Sequence, residues 1–170
     1  NGRDWGFEVA VPEAVSCALE GPDQGRKLAE WQAMGLTRIS GKAFPANENG
    51  KDLFLLMPAG RYGPAFLVTP NFYVLKAYNM SDLYALFIGH VSDRIAYGSG
   101  DFITSWGALG SLTRGDIARM QRALEAQGHD VGGADGLPGY KTRRSIGRWQ
   151  DAQSQPSTCF PTSPLKATLR

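Results

Sequence analysis

An α+β fold is predicted by three observations. Two short apolar runs, Leu53 to Met57 and Ala65 to Thr69, lie close together and are bracketed by turn residues. The longer helical patterns come after these runs, and there is no regular strand–helix–strand alternation of the kind a doubly wound sheet requires. A small antiparallel sheet plus helices, followed by a small three-helix unit, accounts for all three.

The elements follow in order. Trp5 to Val11 alternates through Trp5, Phe7, Val9 and Val11, a strand ended by Pro12. Gln24 to Met34 reads as a helix carrying Leu28 and Trp31 and stopped by Gly35. Asn47, Asn49 and Gly50 precede the first apolar run, and Pro58-Ala59-Gly60 and Gly63-Pro64 separate it from the second, as in a hairpin or two strands of one sheet. Asn71 is placed to cap a helix through Phe72, Val74, Leu75 and Tyr78. Ser81 is placed to cap a longer one, whose apolar residues Leu83, Leu86, Phe87, Val91 and Ile95 recur at helical spacing. Tyr97 to Ser111 holds four glycines and no sustained period, so it reads as a linker. Its Phe102, Ile103 and Trp106 imply that it packs against something.

Beyond the linker, Thr113 with Asp116 forms a variant capping box for a helix striped by Ile117, Met120 and Leu124 and ended by Gly128. A glycine-rich turn, Val131 to Gly139, leads to a second helix starting near Thr142 and carrying Ile146 and Trp149. Pro164 to Leu169 fits a terminal helix. The chain therefore divides into residues 1–97, a linker at 98–111 and a second unit at 112–170.

Composition narrows the function. With 42% hydrophobic and 20% charged residues, wholesale disorder is excluded. A formal net charge of +2 without any Lys/Arg cluster argues against nucleic acid as a partner. The longest apolar runs are far shorter than a membrane span. The chain opens Asn1-Gly2-Arg3-Asp4-Trp5, without an initiator Met or a leader pattern, so a fragment or a processed product is expected. Cys17 and Cys159 are too few for a disulfide scaffold and have no metal-ligand spacing. They pair only in an oxidising compartment; the simpler reading of Cys17 is a small buried hydrophobe. His90 and His129 lie far apart with no carboxylate cluster, and no metal or cofactor is expected. Asp135-Gly136 lacks the alternating oxygens and closing Glu of a calcium loop.

Tyr78-Asn79-Met80-Ser81-Asp82-Leu83-Tyr84-Ala85, between the two central helices, carries the most chemistry. Two phenols and a carboxamide hold an N-acetyl sugar well, by stacking and paired hydrogen bonds. The same residues also serve as cap and core, and spacing alone leaves both open. Together with Leu56-Met57-Pro58-Ala59-Gly60, Gly63 to Val68 and Pro70-Asn71-Phe72, this motif resembles the membrane-bound lytic murein transglycosylase B family. In the second unit, Met120-Gln121, Gly133 to Gly139, Thr142-Arg143 and Trp149-Gln150 resemble the type 1 peptidoglycan-binding domain. Thr158-Cys159 stands there in place of that domain's second Asp-Gly, which leaves the turn geometry at that point open.

The resemblance implies the carboxy-terminal part of a lysozyme-like catalytic domain followed by a three-helix wall-binding domain. It implies cleavage of the β-1,4 bond between N-acetylmuramic acid and N-acetylglucosamine, leaving a 1,6-anhydromuramoyl end. The partners implied are glycan strands and peptide stems of peptidoglycan. The location implied is the periplasm, with any membrane or wall anchor outside this chain. Carried over by position, Tyr78, Asn79 and Tyr84 contact the sugar beside the scissile bond, and Ser81 is the helix cap. Asp135, Gly136, Gly139 and Thr142 form a groove for a peptide-stem carboxylate, or merely build the turn. Asp93-Arg94 reads as a structural ion pair or surface contact.

The family's chemistry needs one glutamic acid, usually followed by Ser, acting as general acid and then base. Glu8, Glu13, Glu20, Glu30, Glu48 and Glu125 are not followed by Ser and read as solvated charges. The acid is thus expected upstream of Asn1, and this chain alone is expected not to catalyse. The alternative is a non-catalytic peptidoglycan-binding protein.

Overall fold

The computed structural model describes residues 3–108 and 110–169. Asn1 and Gly2 at the start of the first unit, Leu109 in the linker and Arg170 at the end of the second lie outside the described residues. Five strands, β1 (Gly6–Ala10), β2 (Arg26–Lys27), β3 (Thr37–Arg38), β4 (Asp52–Leu56) and β5 (Ala65–Val68), form one antiparallel sheet in the order β2-β4-β5-β1-β3. Both apolar runs are strands of it, paired Phe54 to Val68, Leu55 to Leu67 and Leu56 to Phe66. The sheet is wider than a hairpin because β2 and β3 add edges two residues long, too short to show any period in the sequence.

Every residue of β5 is buried, as its unbroken Ala-Phe-Leu-Val demands of a strand covered on both faces. Leu67 and Ala65 join Phe7, Val9, Leu53 and Leu55 on one face, under Leu28 and Trp31 of α1 (Leu28–Ala33). Phe66, Val68 and Leu56 face the other way, onto Phe72 of α2 (Pro70–Asn79) and Ala85 and Leu86 of α3 (Asp82–Tyr97). The chain from Gln24 enters β2 before α1, so that helix is shorter than its pattern suggests.

Three local expectations are corrected. The cap of α2 is Thr69, whose Oγ1 accepts from the Asn71 N–H at 3.1 Å; Pro70 occupies the first helical position, and the Asn71 side chain donates instead to the Arg3 carbonyl. On α3 the core face is Ala85, Leu86 and Gly89, while Leu83, Phe87 and Ile95 are exposed. A Cβ on Gly89 would lie 2.8 Å from the Trp5 ring, so this glycine admits the indole and selects the face. Asp93 and Arg94 do not pair with each other: Asp93 accepts from the Trp5 indole N–H at 2.8 Å, and Arg94 pairs with Asp101.

After α3 the chain runs without helix or strand through the described residues 98–108 and 110–113, yet it is pinned. Phe102 packs edge-on against Phe66 at 5.0 Å, and Glu8 accepts from the Ile103 and Thr104 amides. The remaining helices are α4 (Arg114–Ala126), α5 (Tyr140–Ala152) and α6 (Ser163–Thr168). They share a small core of Met120, Leu124, Val131, Ile146, Trp149, Leu165 and Leu169. The Thr113–Asp116 capping box forms as its sequence predicts.

The face of α5 that does not meet α4 and α6 is pressed against the first unit. Thr142 to Gly147 are all buried, and a Cβ on Gly147 would collide with the sulfur of Cys159. Cys17, expected as a free hydrophobe, is bonded to Cys159 across 142 residues of sequence. Arg61 adds bonds to the carbonyls of Ser157, Glu13 and Val15. Cys159 itself adopts φ 53°, the left-handed turn position that glycine ordinarily takes.

Candidate functional site

The α2–α3 junction is made by Met80, which sits at φ 57° and returns its N–H to the Lys76 carbonyl. Ser81 then caps α3, its Oγ accepting from the Tyr84 amide at 3.3 Å. The hydroxyl takes the cap, so the Asn79 side chain, exposed at the end of α2, is not needed for it. Tyr78 is 84% exposed and its ring stacks on that of Tyr84, with centroids 6.1 Å apart and planes 23° from parallel. Tyr78, Asn79 and Tyr84 are thus brought together on one surface. A pair of flat rings beside a free carboxamide can stack on a sugar face while donating to and accepting from an N-acetyl group.

A buried ion network lies beneath this surface, and sequence reasoning missed it. The Asp82 carboxylate meets Lys76 Nζ at 2.7 Å and Arg143 Nη2 at 2.9 Å. The Arg143 guanidinium is almost wholly buried and turns its Nε to Glu20, at 2.9 Å, and its Nη1 to the Pro138 carbonyl. Glu20 Oε1 also accepts from the Met57 amide. Arg144 binds the Glu20 carbonyl and the Asp23 carboxylate, and its guanidinium lies over the Tyr140 ring, as does Lys76 Nζ. Burial pushes the Glu20 carboxyl upward, against the pull of Arg143 and the Met57 N–H. At Asp82 burial also acts upward, but Arg143 and Lys76 prevail and hold the carboxyl below its usual range.

The solvated reading of the glutamates is corrected at Glu20 and Glu48, both fully buried. Glu48 is chelated by Arg3 through Nε and Nη2. Their partners lie 123 and 45 residues away, which no local pattern reveals. Glu30 bonds the Lys27 amide at the start of α1, and Glu8 holds the linker, while Glu13 and Glu125 are exposed. The adjacent arginines in a glycine-flanked helix start were the one available sequence signal for the network.

In the second unit, Gln121 organises the glycine-rich turn. Its amide N–H groups reach Asp135 Oδ1, the Leu137 carbonyl and Thr142 Oγ1, and its oxygen accepts from the Gly136 amide. The Thr142 hydroxyl donates in turn to the Val131 carbonyl and is buried, so it does not face a ligand. Asp135 and Gly139 remain exposed, at a start of α5 that has no side-chain cap. Two hollows flank α6. One of about 580 Å³ lies between Tyr62, Gln150 and Leu165, and one of about 810 Å³ lies between Met120, Arg122 and Lys166. Neither takes in Tyr78, Asn79 or Tyr84, which stand on an open face. Among the described residues no three His, Cys, Asp or Glu side chains cluster as metal ligands do, and no helix is long and apolar enough to cross a membrane.

Residues 1–93 match the protein family described as the transglycosylase SLT domain. The chain is similar to a crystal structure of SltB3 from Pseudomonas aeruginosa in complex with NAG-anhNAM-pentapeptide, at 38% identity and a TM-score of 0.85. A second crystal structure of SltB3, in complex with NAG-NAM-pentapeptide, matches equally, at 38% identity and 0.85. In both the match covers 99% of this chain and 45% of the SltB3 chain, so this chain spans less than half the length of that relative. No curated protein sequence matches the chain.

Proposed function

This chain belongs to the transglycosylase SLT domain family, and from that premise we propose that it is part of a lytic murein transglycosylase of the membrane-bound type B kind. The reaction is cleavage of the β-1,4 bond between N-acetylmuramic acid and N-acetylglucosamine. A glutamic acid protonates the glycosidic oxygen, and the resulting carboxylate takes the proton of the muramoyl C6 hydroxyl as that oxygen closes on C1. The hydroxyl replaces water, and the product is a 1,6-anhydromuramoyl end. The observation that carries the reading is the stacked Tyr78–Tyr84 pair beside exposed Asn79, in a chain similar to a protein crystallised with such glycan fragments.

In this reading residues 1–97 form one wall of the sugar cleft, with Tyr78, Asn79 and Tyr84 as sugar contacts. Residues 112–170 are a type 1 peptidoglycan-binding domain joined through 98–111. Peptide stems meet the exposed surface at Asp135 and Gly139, where the uncapped first turn of α5 offers amide N–H groups to a carboxylate, while Gly136, buried and bonded to Gln121, shapes the turn beneath. The location is the periplasm, where the substrate lies. The general acid is contributed from outside this chain, because the glutamates here are either tied into the fold or solvated, and none is followed by Ser.

The same census of glutamates also fits a non-catalytic peptidoglycan-binding protein. The two readings separate on whether a Glu-Ser in a helical domain is encoded upstream of Asn1. The direct test of the sugar site is titration of the chain with a GlcNAc–MurNAc disaccharide, followed by NMR. Shifts centred on residues 78–84 support the reading, and their absence at millimolar sugar refutes it. Incubation of the chain with purified sacculi is expected to release no 1,6-anhydromuropeptides above a heat-killed control by mass spectrometry. Their release would overturn the assignment of the acid.

A further inference from the structure

Resting on the reading of Tyr78, Asn79 and Tyr84 as sugar contacts, we propose that Arg143 is a positioning residue for those contacts. It fixes the α2–α3 turn from within α5, so the second unit is a structural part of the cleft wall as well as a candidate wall-binding module.

The connection is short and nearly dry. Lys76 stands three residues before Asn79, and Asp82 three residues after it. The single Asp82 carboxylate takes Lys76 on Oδ1 and Arg143 on Oδ2, so both helices that flank the turn are tied to one group. Side-chain exposures of 16% for Lys76, 11% for Asp82 and 3% for Arg143 mean that water competes little for these bonds. Arg143 is itself immobilised, through Glu20 and the Pro138 carbonyl. Glu20 is fastened to the sheet, accepting from the Met57 amide and bridging to Leu55 of β4.

A guanidinium is required at this point. Its planar fork reaches Glu20, Asp82 and Pro138 at once, whereas an ammonium is a point donor and cannot hold three acceptors in those directions. The turn lacks any comparable anchor on its outer side: Ala77, Tyr78, Asn79 and Met80 are all exposed. Without Arg143, the turn would rest on its two caps, with the nearest buried residues of its helices at Phe72 on α2 and at Ala85 and Leu86 on α3.

Two variants of the whole chain test this: Asp82→Asn, which preserves size and leaves the Arg143–Glu20 pair intact, and Lys76→Met, which cuts only the α2 side. Arg143→Lys supplies the conservative comparison. The first readout needs no ligand: hydrogen exchange at Met80, Tyr84 and Ala85 should accelerate at least tenfold in Asp82→Asn and Arg143→Lys, with β4 and β5 amides unchanged. The second is affinity for a GlcNAc–MurNAc disaccharide, which should fall at least fivefold in both, and less in Lys76→Met. Tyr78→Ala should lose affinity with turn exchange unaltered. If Asp82→Asn leaves turn exchange within twofold of the parent, or binds the disaccharide as well as the parent does, the inference is overturned. If the parent chain itself does not bind the disaccharide, the sugar-contact reading fails instead, and with it the purpose assigned to the anchor.

Discussion

Glu20→Ala offers the sharpest test of the reasoning, because Glu13→Ala, seven residues earlier, is the same change in a residue of the same appearance. Glu20 is fully buried and gives its carboxylate to Arg143 and to the Met57 amide. Truncation leaves a guanidinium that is 3% exposed with Asp82 as its one remaining carboxylate, and a buried amide without its acceptor. Breaking a buried pair from one side costs about 3–5 kcal/mol, chiefly because the surviving charge is left dry and undercompensated. The lower end, about 3 kcal/mol, is expected because Asp82 and the Pro138 carbonyl still hold the guanidinium after truncation. For a domain of this size about 1 kcal/mol moves the thermal midpoint by roughly 2–4 °C, so Glu20→Ala should lower it by about 6–12 °C. Glu13→Ala, on an exposed turn, should stay within about 0.5 kcal/mol. Calorimetry and urea titration of the two variants give the comparison. A midpoint shift under about 3 °C for Glu20→Ala, or equal shifts for both, would refute the reasoning.

Three further outcomes are expected. Asn79→Ala should change the thermal midpoint by no more than about 1 °C, since Ser81 and not Asn79 caps α3, while affinity for a GlcNAc–MurNAc disaccharide falls several-fold; a large loss of stability with unchanged affinity would make Asn79 structural. Reduction of the Cys17–Cys159 bond, or a double Cys→Ser change, should cost about 2–4 kcal/mol in urea unfolding, because the bond closes 142 residues; an unchanged midpoint would show that it adds nothing. Lys166, with the Thr113 amide and hydroxyl, holds the Asp116 carboxyl well below its usual value of 3.8, so its contribution is complete above about pH 4 and is lost as pH falls through the lower folded value. Asp116→Asn should therefore show a shallower decline of melting temperature between about pH 4 and pH 2 than the parent, and parallel curves would count against this.

What the sequence determined by itself was what local chemistry encodes. The apolar runs at Leu53–Met57 and Ala65–Thr69 are paired strands, Ser81 caps α3 and Thr113–Asp116 starts α4, because period, capping and turn residues act over a few positions. The Tyr78–Tyr84 motif is local as well, since the two rings lie on either side of one short turn between two helices whose starts are capped nearby. Where two local cap signals compete, at Thr69 and Asn71, the hydroxyl before Pro70 takes the helix start. The Asn71 side-chain amide is thereby left to reach the Arg3 carbonyl. The two-residue strands β2 and β3 have no period to read and exist only because β4 and β1 offer free edges to them.

Tertiary structure alone decided which charges went inside. Glu13 and Glu20 look alike in a turn-rich stretch, and only the arrival of α5, carrying Arg143, makes one of them a buried anchor. Likewise the stripe Leu83, Phe87, Ile95 reads as a core face, but Gly89 against Trp5 turns α3 by its other side to the sheet. Cys17 found Cys159 because the same approach of α5 and the loop after it brought them together. A side chain's own neighbourhood in sequence sets its helix, strand or cap. Its burial, pairing and protonation are set by groups far away along the chain, 45 residues for Glu48 and 123 for Glu20, since the cost of drying a charge is met only by the partner that the fold delivers.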